Sequence, residues 1–122
     1  MSLRFVSRDS YTPLHVAANV GLANLIPHLL KAGASIEQRD AFGNTPLLVA
    51  CESPESNTSQ CAIILLQNGA ELHAVNKIKR NAALLAAKAG KKALYAELKN
   101  GGAKVSDKDN MGNSAEEYEK DL

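Results

Sequence analysis

The sequence has no tryptophan, and aromatic residues make up only 4% of its 122 positions. That scarcity disfavours a sheet core, which draws on β-branched and aromatic side chains, and it removes the stacking platforms on which nucleic-acid binders rely. Cysteine occurs twice, as Cys51 and Cys61. The pair forms no metal-ligand spacing, so both are expected to be reduced, buried thiols. No apolar run approaches the ~18–20 residues that span a bilayer, and the opening MSLRFVSRDS lacks the apolar stretch of a secretory signal. An intracellular setting, cytoplasmic with the nucleus left open, is the expectation. Chemical motifs are missing too. There is no Gly-rich phosphate loop, no nucleophile elbow and no HExxH pattern, and His15, His28 and His73 fall in different elements without ligand spacing. These gaps point away from an enzyme and from any cofactor or metal.

What is present is ordinary for one soluble domain: 45% hydrophobic and 22% charged, with alanine and leucine abundant. Small and unbranched apolar side chains favour packed short helices, an all-α chain.

The chain also repeats itself. Thr12-Pro13-Leu14-His15-Val16-Ala17-Ala18 is echoed by Thr45-Pro46-Leu47-Leu48-Val49-Ala50-Cys51, 33 residues on, and more weakly by Asn81-Ala82-Ala83-Leu84-Leu85-Ala86-Ala87, a further 36 on. A second marker runs in phase: Leu29-Leu30-Lys31-Ala32-Gly33-Ala34, Leu65-Leu66-Gln67-Asn68-Gly69-Ala70 and Leu98-Lys99-Asn100-Gly101-Gly102-Ala103. A third, Asp40-Ala41-Phe42-Gly43-Asn44, returns as Asp109-Asn110-Met111-Gly112-Asn113. Each marker has a physical reading. Thr12, Thr45 and Asn81 can cap helix N-termini, and Pro13 and Pro46 follow where an N–H has no helical partner. Gly33, Gly69 and Gly102 suit the left-handed residue that ends a helix. Pro27 falls about a turn into a second helix, which predicts an irregular or kinked helix there. The polar run 52–60 holds the three extra residues of the second unit and reads as an extended, mobile loop between helices. Leu25, Ile26, Leu29 and Leu30 are expected to pack on Ile63, Ile64, Leu65 and Leu66, because one such unit cannot bury its apolar stripe alone.

On these three markers the sequence resembles the ankyrin-repeat family from about Arg8 to Tyr118. The third unit departs from the family pattern, with Asn76 and Lys79 where Asp and Gly are usual, and the first has Ser7 and Ser10 there. The resemblance implies a solenoid of about three and a half repeats: repeat one about 7–39, repeat two 40–75 with an insertion near 53–60, repeat three 76–108, and a partial unit 109–122. Glu116 and Glu117 stand in that last unit where repeat one has Leu14 and His15, which suits a polar cap; a piece of a longer protein is the rival explanation.

The same resemblance implies that a partner protein binds the concave face and turn tips. Carried across by position, the contact residues are Arg39, Phe42, Asn44 and Glu52 in repeat two, Lys77, Ile78, Arg80 and Lys88 in repeat three, and Met111 beyond, with Ala41, Ser53, Ala89 and Asn110 beside them. Phe42, Ile78 and Met111 form either an apolar contact stripe or three unrelated surface residues. Charge is uneven: residues 76–108 sum to +7, residues 109–122 to −4 and residues 1–75 to −2. Lys77, Lys79, Arg80, Lys88, Lys91 and Lys92 thus make a basic sector, suited to an acidic segment of a partner or else a solvated face; nucleic acid is disfavoured. A monomer or weak homo-oligomer is expected. The competing function is a structural unit that stacks end to end through its terminal repeats.

Overall fold

The computed structural model describes residues 10–122. Among them the regular structure is helical: α1 Pro13–Val20, α2 Leu25–Lys31, α3 Pro46–Glu52, α4 Thr58–Gln67, α5 Ala82–Lys88, α6 Lys92–Asn100 and α7 Ala115–Glu119. The capping residues act as their chemistry requires. Thr12, Thr45 and Asn81 are extended, and their side chains accept hydrogen bonds from the backbone N–H of His15, Leu48 and Leu84. Repeat one goes further. The Thr12 backbone N–H donates to His15 Nδ1, which closes a capping box.

The first helices stack in one row, α1 on α3, α3 on α5 and α5 on α7, while α2 and α4 lie beside them in a second layer. Alanine makes that stacking close: Ala17, Ala18, Ala50, Ala83 and Ala86 are fully buried, and Leu14, Leu47, Leu48, Leu65, Leu84, Leu85, Leu94 and Leu98 fill the space between helices. A fully buried leucine contributes roughly 1.5–3 kcal/mol, so these interfaces, more than helix propensity, hold seven short helices together.

Three expectations change. Pro27 is only the third residue of α2, where its missing N–H has no helical partner to lose. The helix is short, at 7 residues, and its irregularity lies in the lead-in, a tighter turn in which Leu25 and Ile26 N–H donate to the Leu22 and Ala23 carbonyls. In repeat two the connecting loop is residues 53–57, and residues 58–60 are the first turn of α4. The inserted residues lengthen a helix as well as a loop. Finally, Ile26 packs inward as expected, with Leu29 and Leu30 partly buried, but Leu25 is turned out and 41% exposed.

Candidate protein-interaction surface

The β-turns that precede the first helices are built on one residue each. The Asp40 side chain accepts from Phe42 N–H and Asn44 N–H, Asn76 from Ile78 and Arg80, and Asp109 from Met111 and Asn113. Asn76 keeps the acceptor oxygen that the turn needs. Its Nδ2, which the turn does not use, donates to Asn44 Oδ1 at 3.0 Å and links two successive turns. The fourth turn residue must be left-handed. Gly43 has φ +78°, and a Cβ there would sit 2.9 Å from Lys77 N. Lys79 and Ser10 hold the same conformation, φ +64° and +63°, without glycine's freedom. Ser7, the other unusual turn residue of repeat one, lies outside the described residues.

The turns are stitched edge to edge. Lys77 N–H donates to the Phe42 carbonyl at 3.0 Å, and Asn110 N–H to the Ile78 carbonyl at 2.9 Å. Phe42, Ile78 and Met111 therefore occupy the same place in three consecutive, hydrogen-bonded turns, and they are 66%, 41% and 73% exposed.

Other expected contact residues divide into outer and inner ones. Lys77, Lys88 and Glu52 are exposed, and Glu52 and Lys88 line a shallow depression of about 300 Å³ with Leu85 and Ala89. Arg39 is exposed but engaged: one guanidinium nitrogen donates to the Gly43 carbonyl at 2.8 Å and the Val75 carbonyl at 2.7 Å. Asn44 and Ser53 face inward. Asn44 is buried between the turns, and Ser53 is buried with its hydroxyl donating to the Asn19 carbonyl at 2.7 Å. Arg80, in the same turn position as Asn44, has a largely buried side chain whose Nε pairs with Asp109 at 2.9 Å. The basic sector shrinks accordingly. Lys91 is lost to it as well, since its ammonium turns inward to the Ala50 carbonyl and the Thr58 hydroxyl.

The electrostatics reflect these positions. Hydrogen bonds from the Asn113 backbone, then from Arg80 and the Met111 backbone, hold the Asp109 carboxyl below the ordinary carboxylate range. Burial pulls the Lys91 ammonium below the usual lysine value. Burial also pushes the Cys51 thiol up to about 12 and raises that of Cys61, whose Sγ donates to the Ala17 carbonyl at 3.7 Å. Both cysteines are free and fully buried, as protonated thiols with little nucleophilic character. His15 is a structural residue. Its Nδ1 accepts the Thr12 N–H, which leaves Nε2 to donate to the Asn44 carbonyl at 2.9 Å and tie repeat one to the next turn. Among the described residues no group of three or more His, Cys, Asp or Glu side chains is placed to hold a metal ion, and no helix is long and apolar enough to cross a membrane.

The repeated turn, cap and helix pair are matched by comparison with known proteins: a family model described as ankyrin repeats, in three copies, aligns with residues 2–76. The chain belongs to the ankyrin-repeat family. It is 48% identical over 50 residues to chicken NF-kappa-B inhibitor alpha, covering 41% of this chain and 16% of that protein. It is 42% identical over 57 residues to mouse Rabankyrin-5, 47% of this chain and 5% of that protein. A putative ankyrin repeat protein of Rickettsia bellii is 56% identical over 36 residues, 30% of this chain and 15% of its own. The chain thus spans a small part of each of these relatives. Ankyrin repeats are in general protein–protein interaction modules, and that coarse role comes with the family.

Proposed function

We propose that this ankyrin-repeat chain is a non-catalytic recognition module that takes a partner protein along its turn tips and concave face, through Phe42, Ile78 and Met111 flanked by Lys77, Lys88 and Glu52. The observation that carries this reading is the exposure of three large apolar side chains at one repeated position on a hydrogen-bonded turn ladder. An apolar side chain gains nothing in water, whereas three in a row on a rigid support offer an anchor whose conformational cost is already met. Arg39 and Arg80 serve as braces for the ladder, and Asn44 as its internal link. Lys77, Lys79, Lys88 and Lys92 remain as exposed cations that favour an acidic segment on the partner, and Cys51 and Cys61 as buried thiols fit the reducing interior of a cell. One relative is named as the inhibitor of another protein, which agrees with a role exercised by binding.

The test is affinity capture from the native cell extract with the wild type and the Phe42→Ser, Ile78→Ser, Met111→Ser triple variant. All three positions are exposed, so the variant's helicity and melting should match the wild type. Loss of the captured partners in the triple variant supports the reading; unchanged capture rejects it.

A further inference from the structure

A mild two-electron oxidant such as hydrogen peroxide attacks accessible sulfur, and the described residues carry sulfur at Cys51, Cys61 and Met111. The two cysteines are out of its reach. Both are 0% exposed, and the thiolate that would react is suppressed by burial, which pushes the Cys51 thiol up to about 12 and raises that of Cys61. Met111 is the opposite case. It is 73% exposed at the tip of the 109–112 turn, and a thioether needs no deprotonation to react. The surroundings of its sulfur are also organised. The Asp109 carboxylate accepts from the Met111 N–H at 2.8 Å and from Arg80 Nε at 2.9 Å, so one group holds both the residue that carries the sulfur and the guanidinium beside it. Arg80 Nη2 then donates to Met111 Sδ at 3.8 Å. A thioether is a weak acceptor, which leaves a fixed cationic donor little used.

We propose that Met111 is a reversible oxidation site that regulates the turn-tip surface, with Arg80 as the resident partner of the sulfoxide. This rests on the reading of Phe42, Ile78 and Met111 as the contact row. In the step, a lone pair of Sδ attacks one oxygen of the peroxide. The S–O bond forms as the O–O bond breaks, the thioether loses two electrons, and the departing hydroxide takes the proton of the transferred oxygen and leaves as water. A thiol-dependent sulfoxide reductase reverses the change: the oxygen leaves as water while two thiols become a disulfide. The sulfoxide oxygen is a polar acceptor within reach of the Arg80 donor. The oxidised side chain is therefore polar and tied to the scaffold, where the reduced one is apolar and free to enter a partner's pocket. Phe42 and Ile78 do not react with the same oxidant, so the row loses one anchor of three and binding weakens without ending.

The test treats the full chain with hydrogen peroxide and maps it by peptide mass spectrometry. One oxygen should add at Met111 while Cys51 and Cys61 stay reduced, and the urea midpoint should not fall, because the new oxygen has a donor and the side chain stands in solvent. Proteins that the reduced chain captures from the native extract, and that the Phe42→Ser, Ile78→Ser, Met111→Ser variant loses, form the reference set. The oxidised chain should retain roughly 10-fold less of them, the cost of one removed anchor, and a sulfoxide reductase with dithiothreitol should restore them. Peroxide should not change the capture level of Met111→Leu, whatever that level is, which separates Met111 from Met1. Oxidation of either thiol ahead of Met111, a fallen midpoint, a Met111→Leu variant that still responds to peroxide, or undiminished capture of the reference set by the oxidised chain overturns the switch and leaves the contact row standing. A triple variant that captures everything the wild type does overturns both.

Discussion

At Asp40, Asn76 and Asp109 one oxygen receives two backbone N–H groups, and whether it belongs to a carboxylate or an amide decides how the turn responds to acid and what the second side-chain atom can pair with. Asp109 is stabilised as an anion, so its folded value lies below its unfolded one. Its contribution is complete above the unfolded value of about 3.9 and disappears as pH falls through the folded value. Asp109→Asn should therefore keep the fold, lose the Arg80 pair, and show a flatter stability profile below about pH 4 in urea titrations than the wild type. Lys79 is held left-handed at φ +64°, and Lys79→Gly is expected to raise stability by roughly 0.5–1 kcal/mol, measured as a higher urea midpoint with unchanged slope. His15→Ala removes two buried hydrogen-bond partners at once and leaves a cavity; a loss of about 2–4 kcal/mol is expected in the same measurement. Residue roles set by near neighbours are legible in the sequence: the caps Thr12, Thr45 and Asn81 and the left-handed glycines act within a few residues of themselves. Roles set by distant chain are not. Nothing local tells that Arg80 reaches Asp109, 29 residues on, or that Asn44 turns inward to meet Asn76.

Among the elements, the second helices differ in length, with 7 residues in α2, 10 in α4 and 9 in α6. Pro27 limits the first, and the extra residues of repeat two extend the second. The 52–60 run has the polar, Pro-containing composition that signals a break, and it gives no sign that Thr58, buried and hydrogen-bonded to Glu55 and Lys91, opens a helix instead. Lys91 connects these elements. Its ammonium reaches the Ala50 carbonyl in the last turn of α3, where helix carbonyls lack partners and carry negative charge. Its folded value is lowered by burial, so between that value and about 10.4 the unfolded chain's Lys91 binds more protons than the folded one's, and the contribution of Lys91 to stability rises with pH across that window, against the opposite trend of the two buried thiols. Lys91→Met should abolish that rise, seen as the difference between the two proteins' stability–pH curves in the alkaline range.

Across the whole molecule, stacking of near-identical units gives a ladder of turns along one edge. The repeat period, the order of helices and the family are all readable from three phased markers, because a solenoid repeats its local instructions. The charge sector is less legible, since counting lysines cannot show that Lys91 faces inward or that Arg80 is paired. What the stack leaves outside is the line of Phe42, Ile78 and Met111. A photo-activatable phenylalanine analogue placed at Phe42 or Met111, and separately at Gln67 or Asn100 at the ends of the second helices, tests that line most directly. Irradiation in the native extract should cross-link a common partner from both tip positions and from neither helix position. Cross-links that come from the helix positions alone, or equally from all four, would contradict a partner held along the turn tips.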